Sequence, residues 1–151
     1  MLWNSKFSKH IKFNLEKLEK IKLNDTNIYD ISFLEKNKNI KELNLFGCYN
    51  IKDFVVISNL EKLENIDFSH THISDISFLE KNKNIKNLKL YDCTGIKNFS
   101  SLYKLKKLEI LEVSKTNISN NDISLIRKNN KNIRELEYKI YLYDDSCSSD
   151  Y

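Results

Sequence analysis

The sequence predicts an α/β solenoid, a stack of short coils. Each coil gives one strand to a parallel sheet on the concave face and returns through a short helix or loop on the convex face. Two observations carry this. Residues 30–45, DISFLEKNKNIKELNL, recur at 75–90 as DISFLEKNKNIKNLKL, a shift of 45 with two changes. Inside each 45-residue block runs a finer period: the second apolar residue of every L-x-L-like pair falls at Leu23, Leu45, Phe68, Leu90 and Val113, in steps of 22, 23, 22 and 23.

Each unit reads apolar-x-x-apolar-x-apolar-x-x-Thr/Cys, from Leu18, Ile21, Leu23, Thr26 through Ile40, Leu43, Leu45, Cys48 to Leu108, Leu111, Val113, Thr116. A partial sixth unit, Ile133, Leu136, Tyr138, follows a longer step of 25. The alternating segment is a short strand with one face inward, because successive strand side chains point to opposite sides. One such unit cannot bury its own leucines, whereas stacked units can.

The pattern L-x-x-L-x-L-x-x-T/C-x-I over residues 15 to 140 resembles the leucine-rich repeat. Units such as Leu18 to Asn39 are similar to its short 22-residue class, seen in phosphatase-regulatory and internalin-type proteins. Where that family usually places Asn, this chain alternates Thr26, Thr71, Thr116 with Cys48 and Cys93, so the ladder of bonds to backbone must use hydroxyls and thiols. The even units also insert a residue, Cys48-Tyr49-Asn50-Ile51 against Thr26-Asn27-Ile28. Small size, a Lys-, Asn- and Ile-rich vocabulary and near-identical duplicated units are similar to the leucine-rich-repeat gene family of insect-infecting poxviruses. That resemblance implies a viral protein acting in the host-cell cytoplasm.

The elements follow in order. Residues 1–14 are expected to cap the first coil, since solenoid ends expose core. Trp3, Phe7 and Ile11 fit a helical stripe, while Ile11-x-Phe13-x-Leu15 fits a strand equally. Residues 15–135 hold the repeats. On the convex side Ser32-Phe33-Leu34-Glu35 and its copy Ser77-Phe78-Leu79-Glu80 have capping-box spacing, with Ile31 and Leu34 three apart, and predict a short helical turn. Lys36-Asn37-Lys38-Asn39 and Lys81-Asn82-Lys83-Asn84 read as solvated polar returns. Residues 136–143 predict a longer final strand in which Leu136, Tyr138, Ile140 and Leu142 alternate with Glu137, Lys139, Tyr141 and Tyr143. Its outer edge, with Tyr138, Ile140, Tyr141 and Leu142, is a pairing hazard or a dimer site. Residues 144–151 read as a flexible acidic tail.

Composition excludes several functions. Gly47 and Gly95 are the only glycines, so neither a Rossmann fingerprint nor a phosphate-cradling Walker loop is present. No G-x-S-x-G exists, and three histidines are too few for an acid-base network, so the chain reads as a non-enzyme with no cofactor. His70 and His72 flank Thr71, and i, i+2 histidines on a strand could share a face and hold a transition metal, but no third ligand is nearby in a repeated column. Cys48 and Cys93 lie two strands apart, roughly 9 to 10 Å at about 4.8 Å per strand. That separation forbids a disulfide, and both read as buried free thiols; an odd set of three cysteines fits a reducing cytoplasm. The start, Met1 to Ile11, carries Trp3, Lys6 and His10 rather than an apolar signal core, and no stretch is long and apolar enough to span a membrane. The net charge of +4 comes from 25 bases interspersed with 21 acids, and only Arg127 and Arg134 offer bidentate guanidinium contacts, so nucleic acid is not expected.

What remains is recognition of another protein. By the alternation, the strand residues facing away from the core include Lys22, Asn44, Asp67, Lys89, Glu112 and Glu137, with Phe46 and Tyr91 further along. An aromatic held outward on a rigid strand is a typical interface anchor. The alternative is that both rings cover a neighbouring side-chain stem. Asp67, Glu112, Glu135 and Glu137 make the later strands acidic, against Lys20 and Lys22 on the first, a gradient that steers a complementary partner. The functional expectation is therefore an intracellular protein-binding module using these residues. The alternative is a self-associating structural protein, a homodimer paired through residues 136–143. Analogy with the short-repeat class adds a phosphatase regulatory subunit, for which no residue carries over.

Overall fold

The computed structural model describes residues 17–139. Six strands form one parallel sheet in sequence order: β1 (Lys20–Lys22), β2 (Glu42–Asn44), β3 (Asn65–Asp67), β4 (Asn87–Lys89), β5 (Ile110–Glu112) and β6 (Glu135–Glu137). Each strand pairs with the next without slippage, so Ile21, Leu43, Ile66, Leu88, Leu111 and Leu136 lie in one row. Neighbouring rows of inward residues are one pile: Leu45, Phe68, Leu90 and Val113 are fully buried and Leu23 is nearly so. This is the leucine-rich-repeat solenoid that the spacing predicts.

Two polar ladders tie the coils together beside that pile. At the turn after each strand, the Thr26 hydroxyl and the Cys48 thiol both donate to the Leu23 carbonyl, at 2.7 and 3.0 Å. Thr71 and Cys93 repeat this on the Phe68 carbonyl at 2.7 and 3.1 Å, and Thr116 donates to Val113. Hydroxyl and thiol therefore do serve where the family carries Asn. Both cysteines are free and buried, and burial pushes the Cys93 thiol up to about 11, so it stays protonated and able to donate.

The second ladder corrects the reading of the convex returns. Asn37, Asn82 and Asn130 are buried, and they alternate with buried Leu60 and Leu105. Asn82 Nδ2 donates to the Ile57 and Leu60 carbonyls at 2.9 and 3.0 Å; Asn130 Nδ2 donates to those of Leu102 and Ile126 at 3.0 and 3.1 Å. Only Lys36, Lys38, Lys81 and Lys83 of the two K-N-K-N runs are exposed. A buried amide needs partners, and the end of the preceding turn supplies orphan carbonyls that need donors.

The convex turns are 3-10 helices, Ser32–Lys36, Val55–Asn59, Ser77–Lys81 and Ser100–Lys104. The expected capping box is absent: no side chain caps the turn from Ile31 or Ile76. Instead the Ser32 and Ser77 amides donate to Asp30 and Asp75, each at 2.8 Å, because an aspartate two residues ahead satisfies the first free N–H of so short a turn. A capping box occurs where the last step lengthens to 25. Helix α1 (Asn120–Asn129) opens with Ser119 and Asp122 bonding each other's backbone, buries Ile123 and Ile126, and takes up the extra residues. The Tyr103 hydroxyl donates to Asp122 and fastens α1 to the preceding coil. Strand β6 begins one residue before the expected 136 and ends at Glu137, so the expected run to 143 is not a strand at Tyr138 and Lys139. The remainder of that run, with the 1–14 cap and the 144–151 tail, lies outside the described residues. No described helix is long and apolar enough to cross a membrane.

Candidate functional site: the concave face

Strand alternation with this register sorts the outward side chains into rows. One row is Lys22, Asn44, Asp67, Lys89, Glu112 and Glu137, and a second is Lys20, Glu42, Asn65, Asn87, Ile110 and Glu135. Six of the eight sequence-predicted binding residues thus form one line across six strands. Their roles differ. Asn44 and Asp67 accept from the Phe46 and Ser69 amides, both at 2.9 Å, so these side chains fix the turn that presents the next residue. Lys22, Lys89 and Glu137 are exposed. Glu42 pairs with Lys20 at 2.6 Å.

Glu112 is half-buried, and burial raises its pKa; Glu137, Asp67 and Glu135 push the same way while Lys89 pulls it down. The acidic end of the face is thus crowded with like charge, which disfavours the ionised form.

Phe46 and Tyr91 stand two residues beyond β2 and β4 and are half-buried, facing outward as expected. They are not isolated. His70 lies between them, its ring centroid 5.1 Å from each and edge-on to both. Its Nδ1 is 3.0 Å from Asp92, and Lys115 lies over the Tyr91 ring at 5.2 Å. The cause is a column of left-handed residues following β1 to β5: Asp25, Gly47, His70, Asp92 and Lys115, with φ of 56°, 68°, 55°, 59° and 55°. The amides of Asp25, Gly47, His70 and Asp92 extend the ladder, as when His70 N–H donates to the Tyr91 carbonyl at 2.9 Å. A left-handed residue breaks the two-residue alternation, which lets the His70 ring reach both Phe46 and Tyr91.

This corrects the placement of the two histidines. His70 and His72 do not share a face; His72 is exposed and lies 5.8 Å from Tyr49. Among the described residues no group of three or more His, Cys, Asp or Glu is placed to hold a metal. His70, Asp92 and Lys115 are the members of the ridge that the strand pattern misses. The signal for them was the column itself, one residue after each outward strand end, filled by Asp, Gly, His, Asp and Lys at the same 22- and 23-residue steps. Of the expected dimer edge, Tyr138 is half-buried beneath the Arg127 guanidinium, 5.7 Å from its ring centroid. Ile140, Tyr141 and Leu142 lie outside the described residues.

Known proteins sharing this architecture are leucine-rich-repeat proteins. The solved structure of internalin C2 from Listeria monocytogenes is 20% identical with a TM-score of 0.69, over 85% of this chain and 57% of that one. A leucine-rich-repeat protein of Leptospira interrogans is 16% identical with a TM-score of 0.69, over 83% of this chain and 33% of that one. The functional domain of InlJ from Listeria monocytogenes, which includes a cysteine ladder, is 15% identical with a TM-score of 0.56, over 81% and 30%. The chain thus spans 57% or less of the length of these structures. No curated protein matches it in sequence. Residues 54–138, more than half of the chain, match the model described as Zer-1-like leucine-rich repeats, and the chain belongs to that family.

Proposed function

We propose that this domain is a protein-binding module that recognises a partner through its concave strand face and performs no chemistry of its own. The leucine-rich-repeat fold is a common protein-interaction module. The observation that carries the reading is the ridge of Phe46, His70 and Tyr91, three half-buried rings in edge contact on a rigid sheet beside an in-register polar row. Rings held this way give large contact area at small entropy cost. Pairing of β6 with a second copy is the weaker reading, because it brings Glu135 and Glu137 of two copies together at one edge.

The test is the double variant Phe46→Ala, Tyr91→Ala. Its circular dichroism and melting should stay close to those of the parent, while pull-down of a native partner falls tenfold or more. Full retention of the partner would move the site elsewhere.

A further inference from the structure

Resting on the concave-face reading, the geometry points to the class of partner: we infer that the face takes a basic amphipathic helix, laid across the strands, with apolar side chains on the Phe46–His70–Tyr91 ridge and lysines or arginines over Glu112 and Glu137. Three observations converge.

The first is spacing. The ring centroids follow one another at 5.1 and 5.1 Å. A helix repeats one face every turn, about 5.4 Å, so side chains at i, i+3 or i+4, and i+7 meet three such rings in succession. An extended chain returns to the same side only every 6.4 to 6.8 Å or so and falls out of step over two intervals.

The second is length. Six strands about 4.8 Å apart present a face of about 24 Å, the length of a helix of about 16 residues.

The third is charge. Past the ridge the face turns acidic at Glu112, Glu135 and Glu137, and no described lysine or arginine forms an ion pair with these three. Lys89, the cation nearest in register, stands among them and Asp67. The chain as a whole carries +4, so this local field runs against the net charge. A cationic helix relieves the crowding among these carboxylates, whereas an acidic one adds to it.

Fluorescence anisotropy with three labelled 16-residue probes tests this: a Leu/Lys peptide with leucines at helical spacing, the same peptide with Glu for every Lys, and a Leu/Lys peptide in strict alternation. The helical Leu/Lys probe should bind at least tenfold more tightly than the other two. Phe46→Ala with Tyr91→Ala should weaken it tenfold or more. Glu112→Lys with Glu137→Lys should weaken it comparably and improve the Leu/Glu probe. His70→Asn, which keeps a residue tolerant of left-handed φ, should weaken it severalfold without loss of the melting transition. No binding of the helical Leu/Lys probe overturns the inference, as does equal binding of the alternating one. A Leu/Glu probe that binds as tightly, and is weakened by the ring variants, overturns the basic partner while leaving the concave-face reading intact. Undiminished binding to both the ring and the charge variants sinks both.

Discussion

Phe33 and Phe78 stand at the same place in two copies of one sequence, yet Phe33 is 40% exposed and Phe78 is 8% exposed. The difference lies in the rings each one meets, beginning within its own coil. Phe78 packs edge-on against Phe68 with 6.3 Å between ring centroids, and Phe68 in turn packs against Phe54 at 5.6 Å. The residue equivalent to Phe68 in the first copy is Leu23, which brings no ring. Burial of the copied ring thus follows a residue of its own coil that differs between the copies, and that residue in turn packs on the coil before, as expected of a fold whose stability includes neighbour interfaces. The sharpest way to break the comparison is to truncate both rings. Phe78→Ala should cost about 3 kcal/mol in urea-unfolding stability. Phe33→Ala should cost less than about 1 kcal/mol, as for a partly exposed side chain. Equal losses would mean that the two copies bury their rings alike in solution.

The glycines offer a second contrast at smaller scale. Gly47 has φ of +68°, but its neighbours in the same column, Asp25, His70, Asp92 and Lys115, reach the same region without being glycine. What a methyl group meets there is the Asp25 carboxylate oxygen at 2.5 Å, the end of an exposed side chain that can turn aside. At Gly95 the added methyl group meets the Ile73 backbone carbonyl at 2.9 Å, which cannot turn aside without moving the coil. Gly47→Ala should therefore cost about 1 kcal/mol, the left-handed penalty alone. Gly95→Ala should cost about 2 kcal/mol, within the overpacking range. Thermal melting of the pair orders them, and a larger loss at Gly47 would place the constraint on φ instead.

These contrasts show what the residues alone can reveal. Strand positions were readable because the 22- and 23-residue steps put Leu43, Ile66, Leu88 and Leu111 in register, and one row of core fixes all the others. The outward row from Lys22 to Glu137 followed from the same alternation. His70 was not readable as part of the ridge, because a left-handed residue ends the alternation on which the reading rested. Asn37 and Asn82 were misread as solvated because their sequence neighbours are lysines; their burial depends on carbonyls contributed by the coil before. Helix α1 has no counterpart in the duplicated segment, so the comparison that predicts the short turns at Ser32 and Ser77 is silent about it, although Ser119, Asp122, Ile123 and Ile126 have the spacing of a capped helix.

The smallest effect compares one concave position in the two halves, Asp67 and Glu112, which lie 45 residues apart. The folded protein raises the pKa of Glu112, through burial first and then through Glu137, Asp67 and Glu135. A carboxyl whose folded pKa exceeds its unfolded value, about 4.3, holds its proton in the folded state where the unfolded chain has lost it. Ionised Glu112 therefore lowers stability at neutral pH, and that cost fades as the pH falls through the folded pKa toward the unfolded one. Asp122 behaves in the opposite sense. Its burial is outweighed by hydrogen bonds from Ser119 and Tyr103, so its pKa is lowered, and the stability it lends above about pH 3.9 is lost in stronger acid. Glu112→Gln should thus stabilise the protein at pH 7 by less than about 1 kcal/mol, the scale of partly exposed charge interactions. Its gain should shrink as the pH falls from neutral toward the unfolded value of about 4.3, since the parent's own Glu112 takes up its proton on the way. Denaturant titrations at several pH values measure this, and a Glu112→Gln variant less stable than the parent at pH 7 would show that Lys89 compensates the crowded carboxylates after all.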